Sequence, residues 1–277
     1  MQPSDNQGFR LLRADASALG GYLAGPIART LPTLAPVSLP AVGGFTMARS
    51  EAFTADEIVS CSSAYARVSG SEQPDGSGSI LVTAVIEDLN LLEVVRAQRV
   101  VAQIAIALPP DGGAIRISLA GCGFERLTLA GQACTPKFNV GLQEPGDDRG
   151  CCGGLTWEDV QRAGRTQGER LLAGFKSHSE EAHQWALSHY RRMTSDPQTA
   201  GGGRWAQASV VDGLEVSGAG RSCGHILEIP RFGRIVFGEL LISRDAVQLV
   251  GIRADLGCGT KGRISILCLG GGNSPDD

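Results

Sequence analysis

The stretch SILVTAVIEDLNLLEVVRAQRVVAQIAIAL, residues 79–108, decides the fold class. The turn former PDGSG at 74–78 precedes it, and Pro109-Pro110 with Asp-Gly-Gly at 111–113 closes it. Val and Ile fit a pleated, half-buried surface, so the stretch reads as two strands, 79–89 and 97–107. Residues 89–108 also contain good helix formers, but the Val and Ile content and the closing turn favour strand. On the C-terminal side, AIRISLAGCGFERLTLAG (114–131) alternates at Ile115, Ile117 and Leu119, and again at Leu127 and Leu129. Alternation bounded by turn formers is the strand signature.

From 204 the same pattern returns in WAQASVVDGLEVSG, GHILEIP, GRIVFGELLIS, AVQLVGIRADLG and GRISILCLGGG. Gly or Pro separates these runs closely, which fits hairpins, because a parallel crossover needs about a dozen residues or more. The expected architecture is mainly β: an antiparallel sandwich or barrel-like domain formed by 41–140 and 204–270. Ile80, Val82, Val101, Ile115, Ile117, Leu127, Leu129, Ile235, Phe237, Leu249, Ile264 and Ile266 are its expected core. Residues 1–40, broken by Pro26, Pro32, Pro36 and Pro40, read as an extended N-terminal segment, and 271–277 as a disordered tail.

Between 141 and 203 the character changes. QEPGDDRGCCGG is a loop by composition. Thr156 then caps WEDVQRAGRTQGERLLAGF with acids in the first turn, and SEEAHQWALSHYRRM (179–193) runs from acidic to basic as a helix prefers. An inserted helix pair follows, weakened by Gly164, Gly168 and Gly174. Leu172, Phe175 and Trp185 are its expected docking residues, against the sheet or a second protomer.

Length and composition bound the function. The chain has 277 residues, 38 of them Gly, with 19% charged and 42% hydrophobic residues. That allows one or two domains and excludes a disordered chain. A net charge of −4 argues against nucleic acid as a partner. No run of 18 apolar residues exists, so no transmembrane helix is expected. No signal peptide is visible, which taken literally implies the cytoplasm.

Few residues carry chemistry. No CxxC, HExxH or P-loop occurs, and the Gly runs at 201–203 and 270–272 read as linkers, so no cofactor or metal is expected. His178 with Glu181 and Glu180 with His183 have helical i, i+3 spacing, which a solvated face also explains. Cys151-Cys152 lies just before the Thr156 cap, where a helix N-terminus lowers a thiol pKa, but Asp147, Asp148, Glu158 and Asp159 oppose a thiolate. In an oxidising compartment some of Cys122, Cys134, Cys223, Cys258 and Cys268 would pair. Arg231 and Arg234 read as outward charges blocking edge pairing, or as a contact for an anionic ligand or another protomer. The expectation is a non-enzymatic structural or surface protein that acts by binding or self-assembly, as a homo-oligomer or with another protein. The alternative is a saccharide or peptide hydrolase using paired carboxylates such as Glu87-Asp88, or Cys151/Cys152.

One resemblance is carried by Asn90, Leu91, Leu92, Ala97 and Val100, then by Ile229, Pro230, Gly233 and Ile235. Over residues 17–140 and 208–270 the chain resembles the choice-of-anchor P family of Gram-positive bacterial surface proteins. The resemblance implies an all-β domain exposed outside the cell, with no catalytic residues.

Overall fold

A computed structural model describes residues 12–25, 28–40, 42–142, 154–175, 184–196, 198–200, 203–216 and 221–273. The chain starts a first sheet with β1 (Leu12–Gly25), β2 (Arg29–Leu34) and β3 (Val37–Ser38). It then builds a second sheet from β4 (Gly44–Ser50), β5 (Phe53–Ala55), β6 (Val59–Cys61), β7 (Ser63–Glu72), β8 (Gly78–Leu91) and β9 (Val95–Leu108). The shorter β10 (Arg116–Ser118), β11 (Gly123–Glu125), β12 (Thr128–Leu129) and β13 (Gln132–Phe138) extend it. After α1 (Trp157–Phe175) and α2 (Gln184–Thr194), β14 (Gln198–Ala200) and β15 (Gly203–Ser209) return to the first sheet. β16 (Val211–Val216) pairs with β13 in the second. Finally β17 (Arg221–Cys223), β18 (Ile226–Ile229), β19 (Gly233–Ile242), β20 (Ala246–Cys258) and β21 (Thr260–Asn273) complete the first.

Both sheets are antiparallel and open, so the fold is a sandwich with a helix pair and not a closed barrel. The first runs β14-β15-β19-β20-β21-β1-β2, and the second β16-β13-β12-β9-β8-β6-β5. β1 and β21 pack across β7, β8 and β9, and the core fills the space between. At Gly271 of β21 the approach is so close that a Cβ would lie 2.5 Å from Ile106 Cδ1. Helices α1 and α2 lie against each other and on β15.

Two segments differ from their sequence reading. The Pro-punctuated N-terminal stretch supplies β1, which sits between β21 and β2 and buries Leu12, Ala14, Ala16, Ala18 and Leu19. Residues 271–273 of the expected tail are the end of β21, held by β1 and β20. Each gains a full row of ladder hydrogen bonds, which no local composition predicts.

Strand alternation does not run unbroken. On β19 the core-facing residues are Ile235 and Phe237, then Leu240 and Ile242. On β20 they shift from Val247 and Leu249 to Ile252 and Ala254, and on β21 from Ile264 and Ile266 to Leu267 and Leu269. The flip falls in one row, where Gly238, Gly251, Leu267 and Ala18 are skipped in the pairing ladders. Gly238 and Leu267 there adopt left-handed φ of 62° and 56°. A second flip crosses β8 and β9 at Asp88 (φ 49°), where Leu89 pairs with Ala97 and Glu87 with Arg99. Such irregularities re-aim side chains, as β-bulges do.

The second flip corrects one core assignment. Eleven of the twelve expected core residues are buried, but Val101 is only half-buried, and Val100 takes its place. Ile104→Ala is therefore expected to cost about 2–5 kcal/mol, with Val101→Ala well below that, as read by urea unfolding. Equal losses at the two positions would contradict this register.

Candidate functional site

Helix α1 starts as its sequence requires. The Thr156 hydroxyl accepts from the Asp159 amide at 3.3 Å, and the Asp159 carboxylate accepts from the Thr156 amide at 2.9 Å. This is a capping box with Asp in place of Glu. Gly164 and Gly168 are contact residues. A Cβ on Gly164 would lie 2.1 Å from the Gln207 carbonyl oxygen of β15, and one on Gly168 would lie 3.1 Å from the Tyr190 carbonyl of α2. The glycines that weaken α1 as an isolated helix let it approach the sheet and its partner.

Helix α2 adds a second, smaller core. Ala186, Tyr190 and Met193 pack on Ile226 of β18 and Val236 of β19, with Leu171, Leu172, Phe175 and Trp185 around them. The Arg234 guanidinium lies 5.1 Å above the Trp185 ring and donates to Glu228 at 2.9 Å. The structure thus brings Leu172, Phe175, Trp185 and Arg234 together on the helix-covered side of the first sheet. Arg231 stands apart, exposed in the turn between β18 and β19 with φ 64°.

Beneath Trp185 is a polar cluster that the sequence reading did not anticipate. Trp185 stacks on His189 at 5.6 Å, and the His189 and His225 Nε2 atoms are 3.3 Å apart. His189 is 1% exposed and His225 fully buried. Arg192 approaches His189 Nδ1 at 3.4 Å, and Gln207 Nε2 lies 3.3 Å from His189 Nε2 while donating to Glu239 at 3.2 Å. Glu239 is also bonded by Arg253, which neighbours Asp255, and Asp255 accepts from Arg263 at 2.6 Å. Burial, reinforced by Arg192 and Arg253, pushes His189 down to about 3. Burial, then the neighbouring His189, holds His225 well below its ordinary range. Burial raises the Glu239 carboxyl, against the pull of Arg253. The flip at Gly238 is what turns Glu239 toward the helices instead of into the core beside Phe237. A strictly alternating strand hides it.

The remaining chemical candidates do not converge. Cys151, Cys152, His178, Glu180, Glu181 and His183 lie outside the described residues. Glu87 is paired with Arg99, and Asp88 accepts from Ser62 at 2.7 Å, so these carboxylates do not face a shared space. GRSCG at 220–224 and GCGTKG at 257–262 fit the letters of a nucleophile elbow and a dinucleotide loop. Residues 221–224 of the first and the whole of the second sit in β-hairpins, β17 to β18 and β20 to β21, without the strand-to-helix context those chemistries need. Among the described residues no three His, Cys, Asp or Glu side chains form a metal group. Cys122, Cys134 and Cys268 are free thiols, so the pairing expected of an oxidising compartment is not formed among these three. Burial raises all three, Cys134 to about 11. No described helix is long and apolar enough to cross a membrane.

A different surface is open. β4, GFTMARS, pairs with β7 on one side and with no described strand on the other. Phe45 and Met47 are 65% and 55% exposed on it, and Val42 just before it is 80% exposed. Proteins usually blunt such an edge with Pro, inward charges or a covering loop.

These features define an antiparallel β-sandwich with a helical layer on one sheet and an open edge on the other. The chain belongs to the family described as Domain of unknown function (DUF8256), whose model matches residues 10–243. That span ends before β20 and β21, which complete the first sheet. Neither the curated proteins nor the solved structures yield a match.

Proposed function

We propose that the protein is a non-enzymatic β-sandwich that works by self-association, pairing the open β4 edge with β4 of a second copy. The exposed, unpaired edge of β4 with its apolar side chains is the observation that carries this reading. Main-chain hydrogen bonds of an added strand supply affinity, and alternate side chains supply specificity. The strand is chemically self-complementary. An antiparallel copy in full overlap turns about the middle residue, Met47, and sets Phe45 opposite Arg49 of its partner. That pairing brings a cation to an aromatic face and places no like charges opposite each other. A two-fold interface of this kind closes on itself. The resemblance to choice-of-anchor P surface proteins agrees with a binding role and is part of the proposal.

Sedimentation velocity tests it. The wild-type chain is expected as a dimer at tens of micromolar, and Met47→Lys as a monomer with an unchanged urea midpoint, since Met47 supports no core. A wild-type monomer at every concentration, or a dimer indifferent to Met47→Lys, overturns the proposal.

A further inference from the structure

Helix α1 joins the core of the sandwich through Val160, but α2 does not. α2 rests on the small cluster with Ile226 and Val236, whereas the sheets enclose the large one. At the polar level His189 joins α2 to the sheet, through His225 of the β17–β18 turn and Gln207 of β15.

The protonation states of that contact follow from its donors. Arg192 and the Gln207 amide nitrogen have only protons to offer, and they approach His189 at Nδ1 and at Nε2, so a second proton on this ring would face a donor at either nitrogen. The contact between the two Nε2 atoms, 3.3 Å apart, holds one proton between the rings and not two. His225 Nδ1 is a fully buried atom that has no hydrogen-bond partner among the described residues. The pair is therefore neutral, closely packed and already one bond short. A buried polar group without a partner costs free energy, and a buried charge without one costs far more.

We propose that the His189–His225 contact is an acid-labile latch: a proton added to it releases α2 from the first sheet while the sandwich stays folded. The surroundings cannot absorb the added charge. Facing His189 are Arg192 from α2 itself, Gln207 from β15, Glu239 from β19 and Arg253 from β20. Arg234 of β19 covers Trp185, and Glu228 of β18 is engaged by Arg234. The carboxylates of the cluster are already engaged, Glu239 by Arg253 and Asp255 by Arg253 and Arg263, so a new cation meets two guanidinium groups and no unengaged anion.

The sign of the pH dependence follows. Both histidines are held below the ordinary value near 6.5 in the closed form, so above pH 6.5 neither form takes a proton and closure is complete. Below 6.5 the released form binds protons that the closed form refuses. The opening constant then rises about tenfold per pH unit for each histidine, and about a hundredfold when both are freed. Glu239, raised by burial, takes its own proton first in the closed form and opposes the trend by one proton against two.

Hydrogen exchange on the full chain from pH 7.5 to 5, corrected for the intrinsic rate, tests the latch. Protection of residues 184–194 is expected to fall about tenfold or more per unit below pH 6.5, while protection of β8 and β9 holds. His189→Gln is expected to lower that slope by about one proton, tenfold per unit, leaving the share of His225. In a Trp157→Phe/Trp205→Phe variant, Trp185 emission is expected to change over the same range. Flat protection of α2 in the wild type overturns the proposal, as does simultaneous loss in α2, β8 and β9. An unaltered slope in a folded His189→Gln variant overturns it too.

Discussion

Arg253→Met is expected to cost about 3–5 kcal/mol, because it strands the Glu239 carboxylate inside the helix–sheet interface. The side chains of Arg253 and Glu239 are only 17% and 11% exposed, so water screens neither partner much. The other hydrogen-bond partner of the carboxylate among the described residues, Gln207, offers one neutral donor at 3.2 Å. A companion substitution separates the charge penalty from lost packing. Arg253→Met with Glu239→Leu removes both ions, and it is expected to recover most of the loss, since well-packed apolar pairs often match buried ion pairs. The single variant also carries a pH signature. Without Arg253 the Glu239 pKa in the folded state rises further above its unfolded value, so stability is lowest at neutral pH and recovers as pH falls through that raised pKa. Urea unfolding at pH 7.5 and pH 5.5 reads both effects. A loss under 1 kcal/mol, or a double variant no better than the single, would show that the pair contributes little.

Gly164→Ala is the second large effect, and its direction opposes helix propensity. In an exposed helix the change stabilises by about 1 kcal/mol. Here the new methyl carbon would meet a backbone carbonyl oxygen at 2.1 Å and the Ala208 Cβ at 3.2 Å. Backbone cannot swing aside as a side chain does, so α1 must lift from β15. Overpacking of this kind costs about 1–3 kcal/mol or more. Gly174→Ala is the internal control, for no atom of the described residues lies within 4 Å of its Cβ position, and it is expected to stabilise. Thermal unfolding of the two variants should therefore move in opposite directions. If both rise, the close contact of α1 with β15 is wrong.

The sequence displays part of this molecule clearly. Strands bounded by Pro-Pro, Asp-Gly or Gly runs stand where the turn chemistry puts them, and the Thr156 cap opens α1. Leu172, Phe175 and Trp185 pack around α2, and Arg234 shares a face with Val236, as period-two counting requires. Other parts are hidden for identifiable reasons. β1 looks like a Pro-broken flank because its partner, β21, is at the far end of the chain, and no local window contains both. Val100 displaces Val101, and Glu239 faces the helices, because the alternation flips at Asp88 and Gly238. His225 follows a turn glycine and carries no periodic signal. Its proximity to His189 is purely tertiary.

The row through Gly238, Gly251, Leu267 and Ala18 has a further consequence, for error correction during assembly. In a plain alternating sheet a slip of one residue is punished at once, since it turns the apolar face outward. A slip of two residues restores the alternation and goes unnoticed by the hydrophobic effect. Four strands that change parity at the same level remove that loophole. After any even slip, the residues between the old and new flip points face the wrong side, and a neighbour's polar group is driven into the core. Glu239, one step past Gly238, is such a residue. The crease therefore works as an alignment mark, giving long strands rich in interchangeable Gly, Ala and Ile a single position at which they fit.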